Sequence, residues 1–105
     1  MKKKVVLDER AKKEIGKFPR IVRIKIRAYT DILEETGELR KPFAKKLNTK
    51  PALYEIRVKH KGAWRVFYAY LGKIEIIILS ALHKKTQKTP LKEINRAQRR
   101  LKEYL

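Results

Sequence analysis

The spacing of apolar residues changes along the chain, from a helical period near the N-terminus to an alternating one in the middle. Residues 4–7 are predicted as a short strand, and Asp8 is a suitable N-cap for a following helix. Pro19 ends that helix and can occupy the first turn of the next. Residues 20–35 also alternate at their start, as in a strand, but their length and Gly37 favour a helix. Its apolar stripe is Ile21, Ile24, Ala28 and Ile32, with Val22, Tyr29 and Leu33 beside it.

After a basic loop the period becomes two, and residues 53–59, 63–70 and 74–82 are predicted as three strands joined by short turns. Thr89 is expected to cap a final helix with Pro90 in its first turn, and apolar residues then recur at helical spacing. The order is strand, two helices, three-stranded antiparallel meander and helix. This order predicts an α+β fold, and the length of 105 residues predicts one domain.

Charge is the strongest compositional signal. The chain has 29 basic and 11 acidic residues, a formal net charge of +18. Residues 40–88 hold 13 of the basic residues and only 2 of the acidic ones. Such a field favours a polyanion such as nucleic acid. The alternative, a mixed Lys/Glu surface of the kind thermophile proteins carry, suits the N-terminal part but not the middle.

The composition also excludes several classes of site. There is no cysteine, which excludes disulfides, thiolate nucleophiles and cysteine zinc sites. With two histidines and no metal-ligand spacing among the acidic residues, no metal site and no small-molecule cofactor are expected. No apolar run is long enough for a membrane span, and no signal peptide is recognised, so a cytoplasmic protein with no membrane partner is expected.

The first hairpin turn sets the register of its two strands. With His60-Lys61-Gly62 as a three-residue connection, Lys59 pairs with Ala63 and Arg57 lies opposite Arg65. Like charges directly opposite each other destabilise a sheet. An anion held between the two guanidinium groups would remove that repulsion, and paired guanidinium groups suit a phosphate. The alternative is that both arginines are exposed and extend apart.

The second turn extends this row. With Gly72-Lys73 as a two-residue loop, Leu71 pairs with Ile74 and Arg65 faces Ser80. Lys59 and Lys84 lie near the row. The rest of that face is apolar and is expected under a helix: Phe67, Ala69, Ile76 and Ile78. The cationic row should therefore open at one end of the sheet.

The segment after the last strand carries His83, the only histidine near the row, together with Lys84, Lys85 and Lys88. Histidine is the natural proton-transfer group near neutral pH, although a histidine in a lysine-rich loop is often only solvated. The aromatic residues of the strands are expected in the core rather than as stacking platforms for bases: Trp64, Tyr54, Tyr68 and Tyr70.

Three segments in this order resemble the phage-derived, HigB-like branch of the RelE toxin superfamily. They are Leu53-Tyr-Glu-Ile-Arg57, Gly62-Ala-Trp-Arg-Val-Phe-Tyr68 and Lys84-Lys-Thr-Gln-Lys-Thr-Pro90, with Glu93, Ile94 and Ala97 following. The resemblance covers nearly the whole chain. It implies a RelE-like fold, in which an N-terminal strand and a helical hairpin pack on a twisted antiparallel sheet with a C-terminal helix.

The resemblance also implies the toxin of a type II toxin–antitoxin system, an mRNA endonuclease that acts on the ribosome and is neutralised by a helix-turn-helix antitoxin. In that superfamily the RNA 2′-hydroxyl attacks its adjacent phosphate without a metal. Arg57 and Arg65 would hold the phosphate, with Lys84, Lys85 and His83 as further catalytic candidates. The RNA-binding candidates are Lys45, Lys46, Lys59, Lys61 and Lys88.

The chain departs from the superfamily pattern in three places. Many relatives have histidine where this chain has Ser80 and an apolar residue where it has His83, and no tyrosine occurs at the start of the last helix. The general base therefore stays open between His83 and a lysine of lowered pKa. Two other functions stay open too: a non-catalytic RNA- or ribosome-binding protein, and an inactive relative that binds a partner protein.

Overall fold

This computed structural model describes residues 1–85 and 88–105, which form five strands and three helices. The helices are α1 (Glu9–Gly16), α2 (Arg20–Thr36) and α3 (Leu91–Lys102). The strands are β1 (Lys4–Leu7), β2 (Ala44–Lys46), β3 (Tyr54–Lys59), β4 (Ala63–Leu71) and β5 (Glu75–Lys84). The predicted α+β class is confirmed, and the predicted elements occur in the expected order with one additional strand, β2. No described helix combines the length and the apolar character that crossing a membrane requires.

The five strands form one sheet in the order β1-β5-β4-β3-β2. β1 runs parallel to β5, and the other neighbours are antiparallel. β2 is an addition to the predicted meander, because the basic loop contains a three-residue strand whose Ala44 pairs with Ile56. The sequence did not predict β2, because a strand of three residues is too short to show an alternating pattern, and two of the three are lysines.

The start of α1 and the end of α2 follow the predictions, whereas the start of α2 differs by one residue. The Asp8 side chain accepts hydrogen bonds from the backbone N–H groups of Arg10 and Ala11, as an N-cap should. Gly37 ends α2 with φ of 83°, the left-handed conformation that glycine adopts without strain. Pro19 is the N-cap of α2 rather than its first helical residue.

The start of α3 differs from the prediction. Pro90 is the N-cap, one residue later than expected, and Thr89 does not cap the helix. The Thr89 hydroxyl instead donates to Oε2 of Glu55 at 2.5 Å. This hydrogen bond to a carboxylate joins the segment before α3 to β3.

The side of α2 that faces the core also differs from the predicted apolar stripe. Val22, Ile26 and Leu33 are buried, whereas Ile21 and Ile24 of the expected stripe are more than half exposed. Ile32 is exposed as well. Apolar residues occur on two sides of this helix, so their spacing predicts a helix without indicating which side faces inward.

Two apolar clusters lie on the two faces of the sheet. One packs α1 and α2 against β-strand residues that include Trp64, Val66 and Tyr68. The other packs Ala97 and Leu101 of α3 against residues that include Phe67. Trp64 and Tyr68 are buried in the first cluster, and Tyr54 and Tyr70 pack against it, so the expectation that these aromatic residues belong to the core is confirmed.

The register of β3 with β4 is the predicted one, with Arg57 opposite Arg65 and Lys59 opposite Ala63. The predicted register of β4 with β5 is wrong. Leu71 pairs with Glu75 rather than Ile74, and the register shifts again between Phe67 and Tyr68. Arg65 consequently faces Leu82, and Ser80 faces Phe67.

The two shifts have different consequences along β5. Each moves the pairing by one residue, which exchanges the two faces of a strand. Beyond both shifts the faces agree with the prediction again, so Lys84 still shares a face with Arg65. Between the turn and the second shift, the residues of β5 lie on the opposite face to the predicted one. Ile76 and Ile78 therefore lie on the α1–α2 side, and Ile77 and Leu79 lie under α3.

Candidate functional site

The sheet brings three cationic side chains to one face, on the same side as α3. Arg57 on β3 and Arg65 on β4 form a cross-strand pair. Lys84, the last residue of β5, lies opposite Ala63 and so shares the face of Arg65. The predicted row through Ser80 is corrected accordingly: Leu82 occupies the position opposite Arg65, and Ser80 lies buried farther along the strand.

Two of these cations are buried. Arg65 is 8% exposed and Lys84 is 5% exposed, whereas the Arg57 side chain is 39% exposed. Lysine and arginine are almost never this buried without a partner, because removing a charge from water is costly. The burial of both residues therefore needs a compensating interaction.

For Arg65, Glu55 supplies that interaction. Its side chain is 2% exposed, and its Oε1 atom lies 3.3 Å from Nε of Arg57 and 3.6 Å from Nε of Arg65. Its Oε2 atom accepts the hydroxyl of Thr89. The sequence argument that the facing arginines require an external anion is therefore wrong, because a carboxylate of the chain itself lies between them.

The sequence contains a signal for Glu55 that cross-strand pairing does not show. Glu55 precedes Arg57 by two residues on a strand, which places both side chains on the same face.

One carboxylate leaves the cluster with excess positive charge. Among the described residues its one hydrogen bond from a guanidinium group comes from Nε of Arg57, while Nε of Arg65 is buried without a hydrogen-bond partner. Nη1 of Arg65 donates to the backbone oxygen of Trp64 at 3.0 Å. Its Nη2 atom and both Nη atoms of Arg57 have no hydrogen bond to a described residue. Several guanidinium donors thus stay available to an anion.

Burial and neighbouring charges shift two pKa values in this cluster. Burial lowers the pKa of Arg65, Glu55 opposes the shift and Arg57 adds to it. Burial also lowers the pKa of Lys84, and the positive charge of Arg65 lowers it further against the opposing effect of Glu55. A larger fraction of Lys84 is therefore the neutral amine than for a lysine in water.

Arg65 and Lys84 line an open pocket of about 780 Å³ at the end of the sheet. The other lining residues belong to the β3–β4 hairpin or follow β5: Lys59, His60, Lys61, Gly62, Ala63 and Lys85. We call these residues together the cationic pocket. It brings together five of the predicted site residues, namely Arg65, Lys84, Lys85, Lys59 and Lys61.

Other predicted site residues lie outside the cationic pocket. Lys45 is opposite Glu55 on the same face, where its charge also lowers the pKa of Lys84. Lys46 is opposite Tyr54, on the other face. Lys88 is exposed and follows Thr86 and Gln87, two residues of the predicted Lys84–Pro90 motif that lie outside the described residues.

The structure does not bring His83 together with Arg65 and Lys84. His83 pairs with Trp64 and therefore lies on the α1–α2 face of the sheet. Its ring stacks on that of Trp64 with centroids 3.9 Å apart and planes inclined by 10°. Among the residues described, no group of three or more His, Cys, Asp and Glu side chains is placed to hold a metal ion.

Comparison with known proteins gives the family. The family model described as phage derived protein Gp49-like (DUF891) matches residues 13–102. The chain belongs to this family. No curated protein matches its sequence.

Solved structures of RelE toxins share the fold. An arginine-to-alanine double mutant of the E. coli toxin RelE in the free state is 22% identical, with a TM-score of 0.74 over 95% of this chain and 98% of that one. RelE in the archaeal RelE–RelB complex from Pyrococcus horikoshii is 24% identical, with a TM-score of 0.66 over 81% of this chain and 98% of that one. The RelE-like fold that the sequence predicts is thus confirmed, while the HigB-like branch stays a prediction.

The role of Glu55 predicts a large effect on stability. Replacing Glu55 with Gln removes the counter-charge of buried Arg65, and we expect the free energy of unfolding to fall by about 3 kcal/mol. Thr89→Val, which removes one hydrogen bond to Glu55, should cost about 1 kcal/mol. Urea unfolding at neutral pH measures both values.

Glu35→Gln is the matched control, because Glu35 forms an exposed ion pair with Lys2 at 3.8 Å. Its effect should be under about 1 kcal/mol. Equal losses for Glu55→Gln and Glu35→Gln would show that Glu55 does not hold the buried cations in place.

Proposed function

We propose that the protein is the toxin of a toxin–antitoxin pair and that it cleaves mRNA on the ribosome without a metal. The observation that carries this proposal is the cationic pocket, in which buried Arg65 and Lys84 lie beside exposed lysines of a hairpin. A phosphate entering the pocket meets fixed donors in a partly desolvated site, where electrostatic stabilisation is stronger than in water.

The proposed reaction is an attack of the RNA 2′-hydroxyl oxygen on the adjacent phosphorus. The new O–P bond gives a 2′,3′-cyclic phosphate, and the bond to the 5′ oxygen of the next nucleotide breaks to leave a 5′-hydroxyl. Negative charge grows on the phosphate oxygens in between. In this proposal Arg65, which lines the cationic pocket, and its cross-strand partner Arg57, which lies outside the pocket lining, stabilise that charge.

Lys84 is the proposed general base. Its lowered pKa gives it a neutral amine that can accept the proton of the 2′-hydroxyl. An ammonium group of the cationic pocket, with Lys85 as the candidate, then protonates the leaving oxygen. The position of His83 on the opposite face favours Lys84 over His83 in this role.

The proposed partners are mRNA, the ribosome and an antitoxin protein. Support for the antitoxin comes from the relatives of this fold, since RelE has been solved as the E. coli RelBE toxin–antitoxin complex and as the archaeal RelE–RelB complex. That the antitoxin is of the helix-turn-helix type stays an expectation from the sequence.

We expect cleavage to depend on Arg65, the arginine that lines the cationic pocket. Arg65→Ala should lower cleavage by about 100-fold or more, because a buried donor to the developing charge is lost. Mapping of mRNA 5′ ends after brief induction measures this, with growth arrest as a second readout. Arg20→Ala, an exposed arginine at the start of α2, is the matched control and should behave as the wild type.

The outcome that contradicts the proposal is equally clear. A wild-type chain that is produced without an antitoxin, causes no growth arrest and creates no new 5′ ends is not an mRNA-cleaving toxin.

The role of Lys84 as general base predicts that the cleavage rate depends on pH. A base acts when deprotonated, so the cleavage rate should rise with pH and level off above the lowered pKa of Lys84. Lys84→Arg keeps the positive charge but cannot lose its proton in this range. It should lower the rate by about 100-fold or more and abolish the rise of the rate with pH.

Single-turnover cleavage of ribosome-bound mRNA at each pH provides this measurement. Lys73→Arg, in the exposed turn between β4 and β5, should keep the wild-type profile. If Lys84→Arg also keeps it, another group is the base.

A further inference from the structure

A second basic surface lies on α3, outside the cationic pocket. Asn95, Gln98, Arg99 and Lys102 are three or four residues apart and so share one side of the helix. Together with Lys50, from the loop between β2 and β3, they line one depression. The Gln98 side-chain amide donates to the backbone oxygen of Lys50 at 3.5 Å, which joins the loop to the helix. We call these five residues the α3 basic face.

The two sides of α3 differ in charge: one carries ion pairs, and on the other the charged residues that line the depression are cations. Glu93 pairs with Arg96 at 2.7 Å, and Arg100 pairs with Glu14 of α1 at 2.9 Å. The remaining acidic residue at this end, Glu103, pairs with Arg10. The α3 basic face contains no acidic residue, and within residues 1–85 and 88–105 none of its three cations has a carboxylate partner.

The chemistry of this face indicates the kind of ligand it fits. Cations interspersed with side-chain amides match phosphate oxygens and sugar hydroxyls. The five residues include no aromatic side chain on which an unpaired base could stack, which disfavours single-stranded RNA. They also include no apolar side chain, whereas a protein interface needs an apolar centre.

We infer that the α3 basic face binds the phosphate backbone of double-helical RNA. It lies on the same side of the sheet as Arg65, because α3 packs on that face, but toward the start of β3, whereas the cationic pocket lies at the end of β3. Double-stranded RNA is recognised mostly through its shape and backbone, which this face can contact without reading a sequence. The inference extends the proposed function by a second RNA contact, and it rests on different residues.

The test measures binding without cleavage. The probe is a fluorescent duplex of roughly 16 base pairs in which every ribose is 2′-O-methylated, so that no 2′-hydroxyl can attack. Fluorescence anisotropy gives the affinity of the full chain as a function of salt. The triple variant Lys50→Ala/Arg99→Ala/Lys102→Ala should bind about 10-fold or more weakly, with a slope of log K against log salt shallower by about 2 to 3.

The matched control removes the same charge elsewhere. Lys12, Lys13 and Lys17, on α1 and just after it, are exposed and do not line the depression. Lys12→Ala/Lys13→Ala/Lys17→Ala should lose less than about 3-fold in affinity, because only the general field of the protein changes. Circular dichroism of both triple variants confirms that each is folded.

Two outcomes would overturn the inference. Equal losses in the two triple variants would show that the duplex senses only net charge. Polyglutamate that displaces the duplex as well as an unlabelled duplex of equal charge would show a general anion surface. Because the probe cannot be cleaved, an inactive enzyme leaves these measurements unchanged, and the inference and the proposed cleavage fail separately.

Discussion

The buried carboxylate of Glu55 is the interaction on which the site depends. Two arginines face each other across β3 and β4, and a lysine is buried at the end of β5. Without a counter-charge their mutual repulsion and desolvation would oppose burial. Glu55 offsets part of that cost, since its Oε1 atom lies close to Nε of both Arg57 and Arg65. Nη1 of Arg65 instead donates to the backbone oxygen of Trp64. The single negative charge of Glu55 thus partly offsets the three positive charges of this cluster.

The two faces of the sheet carry different groups of residues. Its α1–α2 face carries the larger apolar cluster, in which the tyrosines and Trp64 pack, and His83 stacks there on Trp64. Its other face is shared between α3, which covers one part, and the cationic pocket, which lies where α3 no longer covers the strands. The hydrogen bond between Thr89 and Glu55 connects these two parts. The position of α3 and the position of the arginines are therefore linked.

The sequence predicted the fold class, the helical hairpin and the register of β3 with β4. That register followed because apolar residues alternate in both strands and Gly62 marks the turn. The register of β4 with β5 could not be predicted in the same way. Residues 76–79 are apolar without a break, so no alternation distinguishes one face from the other. The shift between Phe67 and Tyr68 therefore has no counterpart in the pattern.

The central claim is that the cationic pocket promotes attack by an RNA 2′-hydroxyl on the adjacent phosphate. The most direct measurement uses ribosome-bound mRNA with a single 2′-deoxynucleotide on the 5′ side of the mapped cleavage point. The account predicts that the all-ribose mRNA is cut to a 2′,3′-cyclic phosphate and a 5′-hydroxyl, and that the substituted mRNA is not cut at that point. Equal cleavage of both, or ends bearing a 3′-hydroxyl and a 5′-phosphate, would contradict it.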